Sequence, residues 1–160
     1  MPTPADPPSQ QGFILTRHWR DAPNGTEIEF WLATDDGPRK IRLTMQTSVA
    51  FAEARERPAI EALLDKSDGV ELRELKLKTF EQEPVIGVYS SRYKQLTALE
   101  RTLREHGIKM YEADIRPPER YLMERFITAG VQVEGGRVDG TTIRDCKLKP
   151  APDYLSLIHI

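Results

Sequence analysis

Cysteine is almost missing from this sequence. Cys146 is the only one among 160 residues, which excludes an internal disulfide and any cysteine-based zinc spacing and predicts a reducing, cytoplasmic home. Histidine is equally sparse, with three scattered copies. No His-Glu-x-x-His, Gly-rich phosphate loop or Gly-x-Ser-x-Gly occurs, which argues against a self-sufficient enzyme of the commoner kinds. No apolar run approaches the roughly 20 residues of a membrane-spanning helix, so no membrane partner is expected. The first eleven residues, MPTPADPPSQQ, lack the basic start and apolar centre of a signal peptide and read as a disordered, Pro-rich lead-in. Strong charge is missing too. A net charge of -2 gives no global attraction to nucleic acid or anionic lipid, so any polyanion site must be local.

What is present is a globular composition, 39% hydrophobic and 30% charged, in a chain long enough to bury a core. Charge is uneven along it. Residues 92–150 hold twelve Lys/Arg against nine Asp/Glu, whereas residues 46–83 hold six against nine, so the C-terminal half is mildly basic. The last six residues, LSLIHI, are one reading frame of a transposon-end sequencing adapter, CTG TCT CTT ATA CAC ATC. Residues 155–160 are therefore expected to be an artefact rather than natural protein.

The hydrophobic pattern predicts an α+β fold. Ile28, Phe30 and Leu32 alternate with polar partners, Asp36-Gly37 supplies a tight turn, and Ile41, Leu43 and Met45 alternate again, giving a hairpin with one buried face. Before it, FILTRHWRD is a third strand joined through Pro23-Asn24-Gly25, so residues 12–47 form an antiparallel meander. Next, SVAFAEA reads as a strand. Pro58 opens a helix with Ile60, Leu63 and Leu64 inward, and Asp68-Gly69 ends it. VELRELKL and PVIGVYS are strands, Leu96, Leu99 and Leu103 mark a helix closed by Gly107, and IKMYEAD is a final strand. That order, βαββαβ over residues 48–115, is the ferredoxin-like, RNA-recognition-like unit. In residues 116–154, Pro117 or Pro118 starts a helix with Leu122 and Phe126 as its apolar stripe and Gly130 as its stop. A hairpin around Asp139-Gly140 follows.

Two candidate chemistries arise from these residues. Glu112 and Asp114, two apart on a strand, would share one face as acid/base carboxylates do, which makes a hydrolase one reading; acids before a helix start also serve as caps, and no His, Ser or Lys completes a site. Asp35 and Asp36 read as turn formers. An RNA-recognition module is the other reading, tested by aromatic residues on the strands that would stack bases, and PVIGVYS supplies only Tyr89.

One stretch carries a further signal. YEADIRPPERYLMERFI, residues 111–127, resembles the Tyr-Glu-x-Asp-Ile, then Arg-Tyr-Leu, segment in the N-terminal domain of family B DNA polymerases. GFILTRHWRD, GTEIEFWLATDDGP and LKPAPDY are similar to the damage-inducible bacterial repair branch of that family, so the resemblance covers residues 12–154. It implies a noncatalytic N-terminal domain that borders the single-stranded template path and packs on the exonuclease domain of its own chain. It also implies that both active sites, a 3′→5′ exonuclease and a DNA-directed DNA polymerase, lie beyond residue 154, with no cofactor here and Mg2+ used by the whole protein. A sliding clamp would be met through the whole protein. Arg116 and Arg120 are expected to contact template phosphate or support the corner, and an ion pair with Glu124 is the local reading for Arg120. Arg92, Tyr93 and Lys94 at the preceding strand-to-helix corner are further candidates. The pocket that detects uracil in some archaeal relatives has an aromatic residue where this chain has Pro117, so that function is not expected. The alternative is a free-standing ferredoxin-like nucleic-acid-binding or regulatory module.

Overall fold

The computed structural model describes residues 10–64, 69–79 and 81–151. The lead-in before residue 10, the Asp68 turn position and the adapter-like tail lie outside the described residues. The rest is α+β and divides into two compact units interleaved in sequence. Unit 1 holds the chain up to Arg20, Glu27–Thr44 and the chain from Pro117 on; unit 2 holds Asp21–Thr26 and Met45–Arg116.

Unit 1 is built on a seven-stranded sheet. Its strands are β1 (Gln10–Ala22), β2 (Gly25–Thr34), β3 (Gly37–Gln46), β8 (Gly130–Glu134), β9 (Arg137–Asp139), β10 (Thr142–Arg144) and β11 (Lys147–Pro150), in the order β11-β8-β1-β2-β3-β10-β9. The alternation of the meander does what period-two patterns do: Ile28, Phe30, Leu32, Ile41 and Leu43 are buried in one core. Met45 breaks the series, 69% exposed at a left-handed φ of 55°. The first strand starts earlier than the lead-in suggests, because Gln10 and Gln11 pair with Val133 and Gln132 of β8.

The C-terminal part is more than the single hairpin expected. β9 and β10 do form an antiparallel pair across Asp139-Gly140, but β10 then adds parallel to β3, while β8 and β11 pair with each other at the other edge. Only Gly135-Gly136 links β8 to β9, and only Asp145-Cys146 links β10 to β11. Three peptide steps span at most about 11 Å, whereas five strand spacings in a flat sheet are roughly 24 Å. The sheet must therefore curl until its two edges meet. At the crossing of the two links, a Cβ on Gly136 would stand 2.7 Å from both the Arg144 carbonyl oxygen and Cys146 Cβ.

Helix α3 (Pro117–Glu124) covers this sheet through Tyr121 and Leu122. The Tyr121 ring packs 6.0 Å from Phe30, and its hydroxyl accepts the Leu148 N–H at 3.4 Å. The helix ends earlier than the Gly130 signal suggests. Phe126 N–H donates to the Met123 carbonyl and Ile127 N–H to the Leu122 carbonyl, the paired bonds of a Schellman stop, with Phe126 left-handed at φ 58°. Phe126 is thus not part of an inward stripe; it is 87% exposed. Gly130 instead begins β8.

On the outer surface of the sheet, Arg42 donates from Nε and Nη2 to Glu29 Oε1, at 2.9 and 2.6 Å. Partial burial works to raise the Glu29 carboxyl, but Arg42, with Lys40 and His18 beyond it, outweighs burial and holds it below the ordinary carboxylate range. The Thr44 N–H, donating to Asp145 at 2.9 Å, holds the Asp145 carboxyl down against its own partial burial, helped by the Thr44 hydroxyl and Arg137. A carboxyl depressed in the folded state stabilises it above the unfolded pKa and loses that contribution as pH falls through the folded value. Thermal melts of the chain are expected to be flat from pH 7 to about 5 and to fall in midpoint below about pH 4.5, with the Glu29→Gln, Asp145→Asn double variant falling less steeply. Equal acid slopes in the two proteins would refute this assignment.

Unit 2 contains β4 (Ser48–Glu53), a 3-10 turn (Ala54–Glu56), α1 (Arg57–Leu63), β5 (Val70–Lys78), β6 (Pro84–Ser90), α2 (Tyr93–Glu105) and β7 (Met110–Tyr111). Its four-stranded sheet runs β5-β6-β4-β7, with each neighbouring pair antiparallel. This is the split-βαβ arrangement that the order of elements predicts. Leu96, Leu99 and Leu103 of α2 and Ile60 of α1 cover one sheet face, meeting Ala50, Ala52, Ile86, Val88 and Met110. Gly107, at φ 76°, takes the left-handed position after α2.

The last strand is shorter than IKMYEAD suggests. It stops at Tyr111 because Glu112 turns left-handed at φ 62°. Glu112 and Asp114 therefore do not share a strand face: Glu112 borders a cleft with Phe51 and Tyr111, and Asp114 borders another with Thr97 and Arg104. The paired-carboxylate reading has no geometry to stand on.

Candidate nucleic-acid interface

The β6-to-α2 corner brings Arg92, Tyr93 and Lys94 to the start of a helix, where free N–H groups and the helix dipole favour an anion. That place is already taken. The Asp21 carboxylate accepts the Tyr93 and Lys94 N–H groups, each at 2.9 Å, and the Thr26 hydroxyl donates to it at 2.8 Å. Ser90 Oγ bonds the Arg92 backbone and the Gln95 side chain, closing the turn from inside. Tyr93 is 8% exposed and serves the core rather than offering a ring to a base. Arg92 reaches the Pro23 carbonyl at 3.4 Å, while Lys94 is exposed.

The remaining pair falls on either side of the boundary between the units. Arg116 is exposed at the end of unit 2. Arg120, on α3 of unit 1, is half-buried with its Nε out of solvent, which suits support of the corner better than contact with a mobile phosphate. Glu124, its expected partner in an ion pair, stands 3.8 Å from Arg125. Sequence reasoning passed over two neighbouring cations of unit 1. Arg125 stacks 3.5 Å from the Tyr121 ring centre, and Arg17 of β1 lies 3.8 Å from Glu119. The Arg125–Tyr121 pair, four residues apart, was open to a local reading, whereas the Arg17–Glu119 pair depends on which strand lies beside the helix and has no sequence signal.

The sheet face of unit 2 away from its helices was also underread. Because Ala50, Ala52, Ile86, Val88 and Met110 point into the core, the alternate residues Phe51, Tyr89 and Tyr111 share the opposite face. Phe51 is the direct partner of Tyr111 on one side and of Gly87 on the other. A Cβ on Gly87 would meet Tyr89 Cε2 at 2.6 Å, so the Tyr89 ring lies across Gly87. Arg73 sits 4.6 Å over the Tyr89 ring and Lys109 4.7 Å over Tyr111. A cleft of about 710 Å³ opens here, lined among others by Phe51, Leu77, Lys78, Lys109, Tyr111 and Glu112.

Other chemistry is lacking among the described residues. No three His, Cys, Asp or Glu side chains gather as a metal site, and no helix is long and apolar enough to cross a membrane. Burial pushes the Cys146 thiol up to about 11, which keeps it protonated and unreactive at neutral pH.

Comparison with known proteins bears on this surface. Residues 12–47 match the family model described as DNA polymerase II, N-terminal, and residues 48–108 match DNA polymerase II, insertion domain. The chain is 53% identical over 146 residues to DNA polymerase II of Escherichia coli (strain K12), covering 91% of this chain and 18% of that protein. Its fold is similar to that of the family B DNA polymerase from the hyperthermophilic archaeon Pyrobaculum calidifontis, at a TM-score of 0.64 and 15% identity over 89% of this chain and 21% of that one. With two adjoining family models met in order and more than half of the aligned residues shared, this chain belongs to the DNA polymerase II family, in its N-terminal region.

Proposed function

We propose that this chain is the noncatalytic, template-side part of a DNA-directed DNA polymerase that also carries a 3′→5′ exonuclease and acts in DNA repair and the damage response. It guides the single-stranded template and gives the exonuclease domain a surface to pack on. Metal chemistry, with Mg2+, and any sliding-clamp contact belong to the rest of the protein. The observation that carries this reading is the run of two DNA polymerase II models through residues 12–108, in a chain that spans about a fifth of its relative's length. Exposed Arg116 and Lys94 are the phosphate contacts we assign, with Arg92 in the same corner as Lys94. Arg120 and Tyr93 are the supports that shape the two corners.

Binding through a few phosphates releases counterions, so affinity falls with salt at a log–log slope of about -0.7 per contact on a single strand. Two or three contacts predict a loss of roughly tenfold in affinity for oligo(dT) between 50 and 200 mM salt. Arg116→Ala is expected to make that slope shallower by about 0.7. Titration by fluorescence anisotropy reads both quantities, and an affinity unchanged over this range would rule the reading out.

A further inference from the structure

The aromatic face of the unit 2 sheet has no role in the contacts assigned so far, and its geometry suits one ligand class. We propose that Phe51, Tyr111 and Tyr89 form a stacking platform for the bases of single-stranded nucleic acid. This rests on the reading above that the chain handles a single strand, and it assigns the bases, where the corners take phosphate.

Stacking needs ring faces side by side and turned toward solvent. Phe51 and Tyr111 are cross-strand partners, which places their Cβ atoms about 5 Å apart. Tyr89 is held flat because Gly87 beneath it has no side chain. Leu75 Cδ1 would stand 3.1 Å from the same Cβ and adds to the apolar floor. The cations are placed for the same ligand, Lys109 over Tyr111 and Arg73 over Tyr89, with Lys78 at the cleft wall. A base stacking on Tyr111 or Tyr89 would take the place of the exposed cation that covers the ring in the free protein, and the displaced Lys109 or Arg73 would stay within reach of the adjoining phosphate.

Charge on this face is balanced. Arg73 is paired with Glu71 at 2.9 Å, and Glu81 and Glu112 line the cleft together with Lys78 and Lys109. Long-range attraction is therefore small, and the platform's contribution comes from stacking. It should persist in salt, unlike the contribution of Arg116 and Lys94.

The test uses the full 160-residue chain and an eight-nucleotide oligo(dT) carrying one 5-iodouracil, crosslinked by ultraviolet light and mapped by mass spectrometry. Crosslinks to Phe51, Tyr89 or Tyr111 in the unaltered protein are the expected result. Tyr111→Leu and Phe51→Leu are each expected to weaken binding about tenfold at both 50 and 200 mM salt. Gly87→Ala, which displaces the Tyr89 ring, should weaken it less. Crosslinks confined to the Arg116 and Lys94 corners, with binding intact, would overturn the platform and leave the template-guiding reading standing; the face would then belong to a protein contact. Equal binding of duplex and single strand would also overturn it. No binding of any oligonucleotide at 50 mM salt would remove both.

Discussion

Gly136→Val is expected to destabilise unit 1 by about 3 kcal/mol and to lower its melting midpoint by well over 10 °C. Two independent effects add. A residue with a Cβ at φ 82° is in the left-handed region, which costs roughly 1–2 kcal/mol. The new Cβ would also stand 2.7 Å from the Arg144 carbonyl oxygen and 2.9 Å from Cys146 Cα. Those are backbone atoms of the end of β10 and of the other link, unable to swing aside as a long side chain would, and overpacking of this kind costs about 1–3 kcal/mol. In a unit of this size each kcal/mol moves the midpoint by about 4–8 °C. Calorimetry on the chain checks the figure, and a midpoint within 2 °C of the parent would show that the two links do not cross as described.

Asp21→Ala is the second large effect, expected to cost unit 2 about 2–3 kcal/mol. Losing an N-terminal cap costs up to about 2 kcal/mol, and here one carboxylate serves the Tyr93 and Lys94 N–H groups together. The fully buried Thr26 hydroxyl loses its short acceptor as well, leaving the Ser91 carbonyl at 3.4 Å. Asp21→Asn, which keeps a side-chain oxygen, should recover more than half of the loss. The alanine variant also uncovers helix N–H groups beside Lys94. Under conditions where it stays folded, it is expected to bind inorganic phosphate more tightly than the parent, measured by phosphorus NMR. Loss of stability no greater than for an exposed aspartate would contradict the capping role.

How far the sequence foretold this structure depends on the range of the interaction involved. Strands with a solvated side, such as the Ile28-Phe30-Leu32 run, and the Leu96-Leu99-Leu103 helix were legible because their periodicity is local and their burial follows from it. The βαββαβ order was legible for the same reason. Glu112 and Phe126 were not, because each takes a left-handed conformation usually reserved for Gly or Asn, and the apolar pattern runs past both without a break. The destinations of β8 and β11 were hidden, since nothing local to residues 130–150 says which sheet edge they join. The candidate site suffered most. Arg92, Tyr93 and Lys94 read as an open anion site until an acid 72 residues away is seen to fill it. Phe51 and Tyr111 were missed because the stacking test was applied to one strand, whereas the platform draws on three neighbouring strands through their register.

The interleaving of the two units fixes the sequence of events during translation. The ribosome delivers every residue of unit 2 by Arg116, when unit 1 has only β1, β2 and β3 in hand. Unit 2 is free to fold as soon as it emerges, while both borders of the earlier meander stay open to solvent until β8 and β10 arrive. For that interval the nascent chain presents a finished module beside an unfinished one, and a chaperone that shields bare β borders would be needed between residue 46 and residue 150, not after.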